Sequence, residues 1–553
     1  MRRRIVTYTL LGAAVVVIAV GGIFAKRNDF GLSRNMEIML NLMHTLSTEY
    51  VDEVDADKLM QHGANGFSSM LDPYTTFIPE KDMPDFKAAT MGKYGGVGAM
   101  IRQKENYVII AEPYKGSPAD EAGLKIGDKI VAINGQDMRN AKVADISKLL
   151  RGEPNTTVKV TIERLLTGER EEIKIRRRHI TVPSIPYAGY VSEGVGYIRH
   201  SDFTERCYED MRAAILRLQS EGKLKALVLD YRNNGGGLLS SAIDILSLFV
   251  PKGTMVVEMR GRSNGNTKKF YTQYDPLLPN TPLVVLINNN SASAAEIVSG
   301  TIQDLDRGVL IGQRSFGKGL VQTTVPLGYN AYAKVTTAKY YIPSGRCIQA
   351  VNYSDEGRAT AVADSLIKEF KTAKGRKVYD GGGIMPDKPM KEKFVSKFAV
   401  VLYMLGIVEE YCDEYYKANH AQQIDLDTFS ITEADYANFA KMVEGRDVPF
   451  KSDSRIALEM LQRNLKRERN TSLDAVVKQL EEGLKDDKQS LLQTFRKEIT
   501  EQINENIVLR HAYAAGVVRH SLHNDEEVKA AVELLRNNEE YTRIVTKQDT
   551  ARK

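Results

Sequence analysis

A serine and a lysine stand in settings that suit a nucleophile and its base. Ser293 follows the apolar run 281–288 and opens the segment Ser293-Ala294-Ala295-Glu296-Ile297. Lys318 lies within Ser315-Phe316-Gly317-Lys318-Gly319, after a second short apolar run at 308–312. A serine hydroxyl attacks a carbonyl only when a base takes its proton. A lysine amine is such a base only when neutral, so its pKa must fall from about 10.4 to near 7, roughly 4 kcal/mol of differential stabilisation. Burial in an apolar cleft supplies a shift of that size. Phe316, Leu320 and Val321 flank Lys318, glycines on both sides permit close approach, and no carboxylate adjoins it in sequence. The chain has 8 histidines, and none sits in a nucleophile-like setting.

Acyl transfer also needs donors for the developing oxyanion. The backbone N–H of Ala294 is well placed if Ser293 starts a helix. A second donor is expected from Asp230-Tyr231-Arg232-Asn233-Asn234-Gly235-Gly236-Gly237, a glycine-rich turn between an apolar strand and a helix. A rival reading of the lysine fails. Gly312 to Lys318 fits the first seven positions of a phosphate-binding P-loop, but Gly319 stands where Ser or Thr must ligate magnesium. The residues that follow, 319–326, read as a strand and not as the helix such a loop opens.

The elements that must hold these residues form an alternating pattern. Residues 194–198, 226–231, 283–287 and 309–311 are short apolar runs suited to buried strands, and 205–219 and 238–249 are helical between them. That alternation over 185–386 predicts an α/β core. Upstream, Met36, Met39, Leu40, Met43 and Leu46 predict an amphipathic helix over 36–50, and a second helix covers 56–70, ending at Leu71-Asp72-Pro73. From about Met390 the chain is helix-rich. Leu473, Val476, Val477, Leu480 and Leu484 make one apolar face there, and Leu492, Phe495, Ile499 and Ile503 another. No chemistry is legible in this region, and packing or homo-oligomerisation is its expected role.

With 553 residues the chain exceeds one domain, and 76 basic against 71 acidic residues give a net charge of +5, which does not argue for nucleic acid. Arg2–Arg4 precede an uncharged stretch, 5–25, long enough to cross a bilayer, followed by Lys26 and Arg27. An uncleaved anchor is favoured over a cleaved signal because Ile23 suits the small-x-small cleavage pattern poorly. The expectation is an inner-membrane anchor with the remainder in the periplasm. Cys207, Cys347 and Cys412 give neither a disulfide framework nor a metal spacing, and a buried, inert role is expected of each.

Residues 93–180 have a different texture. Gly95, Gly96 and Gly98 lead into β-rich segments at 107–111, 129–133 and 157–163, with short helices at 117–124 and 145–150 and a tight-turn dipeptide, Asn134-Gly135. This order resembles a PDZ domain. The resemblance places the carboxylate-binding loop at Gly96-Val97-Gly98-Ala99, where Ala99 departs from the bulky apolar residue usual in that family. Successive backbone N–H groups form a nest for a terminal carboxylate, and a neighbouring strand edge pairs with the peptide.

Ser291-Ala292-Ser293-Ala294-Ala295-Glu296-Ile297, Gln303-Asp304, Phe316-Gly317-Lys318-Gly319 and Val321-Gln322 together resemble the C-terminal processing (tail-specific) serine proteases of the S41 type. Leu71-Asp72-Pro73-Tyr74-Thr75, Gly196-Tyr197-Ile198, the run Ala338-Lys339-Tyr340-Tyr341-Ile342-Pro343-Ser344-Gly345-Arg346 and Gly383-Ile384-Met385-Pro386-Asp387 add to it. The resemblance covers about 36–390. It implies a multidomain α/β protein. Its parts are an anchor or signal at 1–28, a helical region at 29–92 and an inserted PDZ domain at 93–180. A crotonase/ClpP-like protease core at 181–390 and a helical domain at 391–553 complete it. It implies a catalytic dyad of Ser293 and Lys318, Ser291 lying two residues too early for the family's spacing. Gln322 matches the group that orients the lysine, and Asp304 a rival supporting position. An ionised Asp304 beside Lys318 would oppose the base role, which favours a structural place for it at a helix end. Gly235 replaces the proline of the family's Asn-Pro-Gly-Gly loop, leaving Gly236 or Gly237 as the oxyanion donor. The implied activity is endoproteolysis near the C-termini of unfolded or tail-exposed proteins, without metal or cofactor. The competing expectation is a catalytically silent PDZ scaffold.

Overall fold

The computed structural model describes residues 29–546, except 84–85, 87–91, 263–264, 266, 354–357 and 485–486. The expected span at 5–25 lies outside them. Among the described residues no helix is long and apolar enough to cross a membrane. The chain divides into two units, one comprising residues up to Lys81 with Gln322–Thr336 and Tyr353–Ala359, the other the remainder.

In the first unit, helices Asp29–Glu49 and Ala56–Ser69 precede the strand Thr76–Ile78. The first helix begins seven residues before the amphipathic pattern that predicts it. Met36 and Leu40 are exposed, whereas Met39, Met43 and Leu46 are half-buried. Asp55 caps the second helix by accepting the N–H groups of Asp57 and Lys58. Past its end, Asp72 Oδ1 accepts the N–H groups of Tyr74 and Thr75 at 2.8 Å, and this turn launches the strand, which pairs antiparallel with 332–334.

The second unit contains a six-stranded sheet in the order Tyr187–Ser192, Val195–Arg199, Ala226–Asp230, Leu283–Ile287, Val309–Gly312, Lys388–Pro389, parallel from the second strand onward. Alternate residues of its strands face opposite layers. Leu227, Leu229, Leu283, Val285, Ile287 and Leu310 pack among helices Cys207–Glu221, Leu239–Ser247 and Ala294–Asp304. Ala226, Val228, Val284, Leu286, Val309 and Ile311 pack on Val528, Ala531, Leu534, Tyr541 and Val545. Those five residues belong to helices Glu526–Arg536 and Asn538–Thr546, so the second layer of the core comes from far beyond residue 390.

The PDZ-like segment is a sheet in the order Ala99–Lys104, Tyr107–Pro113, Lys129–Ile133, Thr157–Glu163, Arg170–Arg176, closed over its own core by helix Val143–Leu150. Asn134 and Gly135 both have positive φ, as the predicted tight turn requires. Lys93–Gly96 and Arg178–Thr181 pair as a ribbon at its entry and exit. The remaining helices bury Phe398, Leu402, Phe439, Leu492, Ile499 and Ile503 in a separate core. The other predicted C-terminal face is only partly used. Val477 is buried with Leu458 and Leu465, but Leu473, Val476 and Leu480 are exposed on a small helical hairpin. Cys207 and Cys412 are buried as expected, while Cys347 is half-buried, and all three are free thiols.

Candidate active site

Loops following three adjacent parallel strands, Ala226–Asp230, Leu283–Ile287 and Val309–Gly312, leave the carboxyl edge of the sheet, where open α/β sheets build their sites. They carry the glycine turn 231–237, the serine approach 288–293 and the lysine segment 313–319. Ser293 caps helix Ala294–Asp304 with φ 56 and ψ −115, a conformation that costs a non-glycine residue of order 1–3 kcal/mol. It is held there from both sides. The N–H of Ala292 donates to Asn234 O at 2.9 Å, and the N–H of Ser293 donates to Glu296 Oε2 at 2.9 Å.

Glu296 ties the serine and lysine segments together. Its carboxylate is fully buried and accepts four hydrogen bonds: Oε2 from the N–H groups of Ser293 (2.9 Å) and Lys318 (2.8 Å), Oε1 from Gly317 N–H (2.7 Å) and Ser315 Oγ (2.5 Å). Two donors on one oxygen place the backbone nitrogens of Ser293 and Lys318 within roughly 6 Å of each other. Burial pushes the Glu296 carboxyl up to about 7, against the opposing pull of these donors. The role was missed in the sequence, although Ser293-x-x-Glu296 has capping-box spacing. Lys318 itself is half-buried. Gly317, at φ +87, and Gly319 press on Ala350 and Gln349, where side chains would stand 2.2 Å and 2.4 Å from their nearest atoms. Leu320 and Val321 are buried, whereas Phe316 is 53% exposed.

The glycine turn meets the serine directly. A Cβ on Gly236 would lie 2.7 Å from Ala292 O and Ser293 Cβ and 2.9 Å from Ala294 N, so only glycine fits. The N–H of Gly236 donates to Asn234 Oδ1 at 2.8 Å. As the loop stands, the N–H expected to serve the oxyanion is engaged within the turn, and the glycine permits the close approach to Ser293. Gly237 packs against Phe203 and pairs with it. Gly235, where the family has proline, faces open space.

The base of the turn is a charged cluster the sequence did not reveal. Asp230 is buried and accepts from Tyr197 Oη (2.6 Å), Arg199 (2.9 Å) and Arg232 (2.6 Å). Burial opposes its charge, but Arg232 and Arg199 outweigh it and hold the carboxyl at about 2. His200 packs edge-on against Phe203 and Tyr231 within the core, where burial lowers it to about 3, so it is a neutral core residue.

Among the other predicted residues, Ser291 is buried with its Oγ donated to Tyr231 O at 2.9 Å. Asp304 lies at the far end of the serine's helix, about 16 Å along it. It pairs there with buried Arg346 at 2.8 Å and accepts Ser344 N–H at 2.9 Å, a structural place. Gln322 belongs to the first unit, where Nε2 donates to Thr336 Oγ1 at 3.2 Å. Of the predicted carboxylate-binding residues, Gly96 ends strand Lys93–Gly96, Val97 and Gly98 form the connecting loop, and Ala99 opens the edge strand Ala99–Lys104. Gly98 has φ +79, and its carbonyl accepts from Tyr114 N–H and Ser117 Oγ. A groove of about 630 Å³ runs from this loop between the strand and helix Val143–Leu150, lined by Val97, Ile101, Val143 and Leu150 among others. Among the described residues no cluster of metal-ligating side chains occurs.

The chain is similar to several known proteins. The sequence model of peptidase family S41 matches residues 194–354, that of a PDZ domain 109–164, and that of a probable PDZ-protease C-terminal helical domain 398–535. A carboxy-terminal-processing protease of Bartonella bacilliformis is 35% identical over 349 residues, 63% of this chain and 79% of that protein. A probable CtpA-like serine protease of Staphylococcus aureus is 32% identical over 348 residues, 62% and 68% of the two chains. Among solved structures, the photosystem II D1 C-terminal processing protease has 24% identity over 65% of this chain and 93% of its own, with a TM-score of 0.34. A putative S41 protease from Bacteroides fragilis has 16% identity over 68% and 88%, with a TM-score of 0.36.

Proposed function

The chain belongs to the carboxy-terminal-processing proteases of peptidase family S41 and is a serine peptidase, and from that premise we propose that Ser293 is its nucleophile and Lys318 the general base. The observation that carries this is the shared carboxylate of Glu296, which binds the backbone of both residues on one oxygen. Ser293 Oγ attacks the scissile carbonyl while its proton passes to neutral Lys318 Nζ. The negative charge on the carbonyl oxygen is met by the N–H of Ala294, with Gly237 as the second donor because Gly236 is engaged with Asn234. Lysine then protonates the leaving amine as the C–N bond breaks. Water, deprotonated by the same lysine, hydrolyses the acyl ester.

The PDZ groove is assigned the capture of a substrate's C-terminal tail. Its edge strand Ala99–Lys104 is open to pairing, and its apolar floor suits an apolar terminal side chain. Membrane anchoring through 5–25, with the catalytic part in the periplasm, is proposed from the sequence pattern, and Gln322 is assigned to orient Lys318 from the family resemblance.

The test is cleavage of an unfolded, tailed protein by Ser293→Ala, Lys318→Ala and Lys318→Arg. All three are expected to be inactive, the last because arginine does not deprotonate at useful pH. Undiminished cleavage by any of them would remove the dyad.

A further inference from the structure

The glycine turn and the lysine segment are both held by the C-terminal helical region. Arg232, the second residue of the glycine turn 231–237, is 13% exposed and surrounded by carboxylates. Its Nε and Nη2 donate to Asp230 at 2.9 and 2.6 Å. Nη2 also meets Asp525 Oδ2 at 2.7 Å, and Nη1 meets Glu527 Oε2 at 2.6 Å. Asp525 uses its other oxygen to cap helix Glu526–Arg536, accepting the N–H groups of Glu527 and Val528. Glu527 uses its other oxygen to accept Gln313 Nε2. Gln313 lies five residues before Lys318, and its N–H is fixed on Ile287 O, at the end of the strand leading to Ser293. One helix start therefore grips both catalytic loops.

The grip reaches the reacting residues in few steps. Asn233 and Asn234 follow Arg232, and Asn234 O accepts the N–H of Ala292, next to Ser293. Asn234 Oδ1 accepts Gly236 N–H, fixing the glycine that presses on Ser293. Asp230, Arg232, Asp525 and Glu527 are each at most 17% exposed, so their pairing is poorly screened, and loss of one partner strands a desolvated charge.

We propose that Asp525 and Glu527 are positioning residues for proteolysis, holding the glycine turn through Arg232 and the lysine segment through Gln313. The C-terminal helical region is thereby part of the catalytic apparatus and not only a covering layer. The proposal rests on the Ser293–Lys318 reading.

The experiment uses the full-length chain carrying Asp525→Asn with Glu527→Gln, and separately Gln313→Ala, which leaves Arg232 paired and removes only the contact to the lysine segment. Five quantities are measured: kcat and KM on an unfolded tailed protein, affinity for a peptide boronic acid that mimics the tetrahedral adduct, tail-peptide binding, and melting temperature. For the double variant kcat is expected to fall at least about tenfold with boronate affinity falling alongside, while KM and tail binding stay within about twofold. Gln313→Ala is expected to lower kcat about threefold or more with an unchanged melting temperature. Wild-type kcat in the folded double variant would overturn the proposal. So would a loss of kcat, tail binding and melting temperature in proportion with no effect of Gln313→Ala, since that pattern belongs to a purely structural contact. Ser293→Ala, measured in parallel, separates the two readings: if it still cleaves, the dyad has failed, and if it is inactive while the double variant is fully active, only the clamp has failed.

Discussion

Glu296→Gln is the perturbation that most sharply probes how the site is assembled. The carboxylate receives two donors on each oxygen. Glutamine offers one carbonyl oxygen and one NH2. If the NH2 takes the Oε2 position, the N–H groups of Ser293 and Lys318 face another donor and both bonds are lost. If it takes the Oε1 position, Gly317 N–H is stranded, and Ser315 Oγ, which also accepts from Ile384 N–H at 2.6 Å, must reverse its hydroxyl. At pH 8, where the carboxyl is ionised, one or two hydrogen bonds to a charged acceptor disappear, each worth about 1.5–3 kcal/mol, so the variant loses about 2–5 kcal/mol. That loss falls on the backbone of Ser293, already strained at φ 56, and of Lys318. Even about 2 kcal/mol of misplacement in the transition state lowers kcat roughly thirtyfold. The assay is steady-state cleavage of an unfolded tailed protein beside thermal unfolding, with tail-peptide affinity as a control expected to stay constant. A kcat within about threefold of the parent, at an unchanged melting temperature, would show that Glu296 does not hold the two segments in place.

Further outcomes follow from the same geometry. Burial raises Glu296 from 4.5 to about 7 in the folded chain, so the stability it contributes is fully present below about 4.5 and is lost as pH rises through about 7. The melting-temperature gap between parent and Glu296→Gln is therefore expected to narrow from pH 5 to pH 8, and a gap that widens contradicts the assignment. Gly236→Ala places a methyl 2.7 Å from Ser293 Cβ and Ala292 O and should reduce kcat at least about a hundredfold with little change in KM, read by initial rates. Gly98→Ala puts a Cβ 2.5 Å from Ser117 at a left-handed position. Titration calorimetry should show tail-peptide affinity falling at least about tenfold, while hydrolysis of a short untailed ester is unchanged.

What the sequence made legible follows from how local each signal is. The strands at 226–231, 283–287 and 309–311 are read from uninterrupted apolar runs, and the structure places each within a residue or two. Ser293 and Lys318 stand out because glycine-bounded, strand-following loops are themselves local patterns. The rest depends on pairings across long separations. Glu296 reads as a cap residue until Gly317 and Lys318 arrive on it from more than twenty residues away. Arg232 reads as an ordinary loop cation, because its partners Asp525 and Glu527 lie near the end of the chain. The helices after 390 show amphipathic spacing but not which surface they meet, so their packing on the central sheet through Val528, Leu534 and Val545 was invisible. Phe316, apolar and adjacent to the lysine, points to solvent because its neighbours Ser315 and Gly317 are drawn inward to Glu296.

The most direct test of the central claim is to catch the covalent intermediate. A slowly deacylating ester substrate is mixed with the enzyme, quenched in acid within a turnover, and the digest examined by mass spectrometry. One acyl group is expected on the peptide containing Ser293, absent from Ser293→Ala and from Lys318→Arg. Turnover with no acyl group on that peptide, or an acyl group on Ser291 or any other residue, would contradict it.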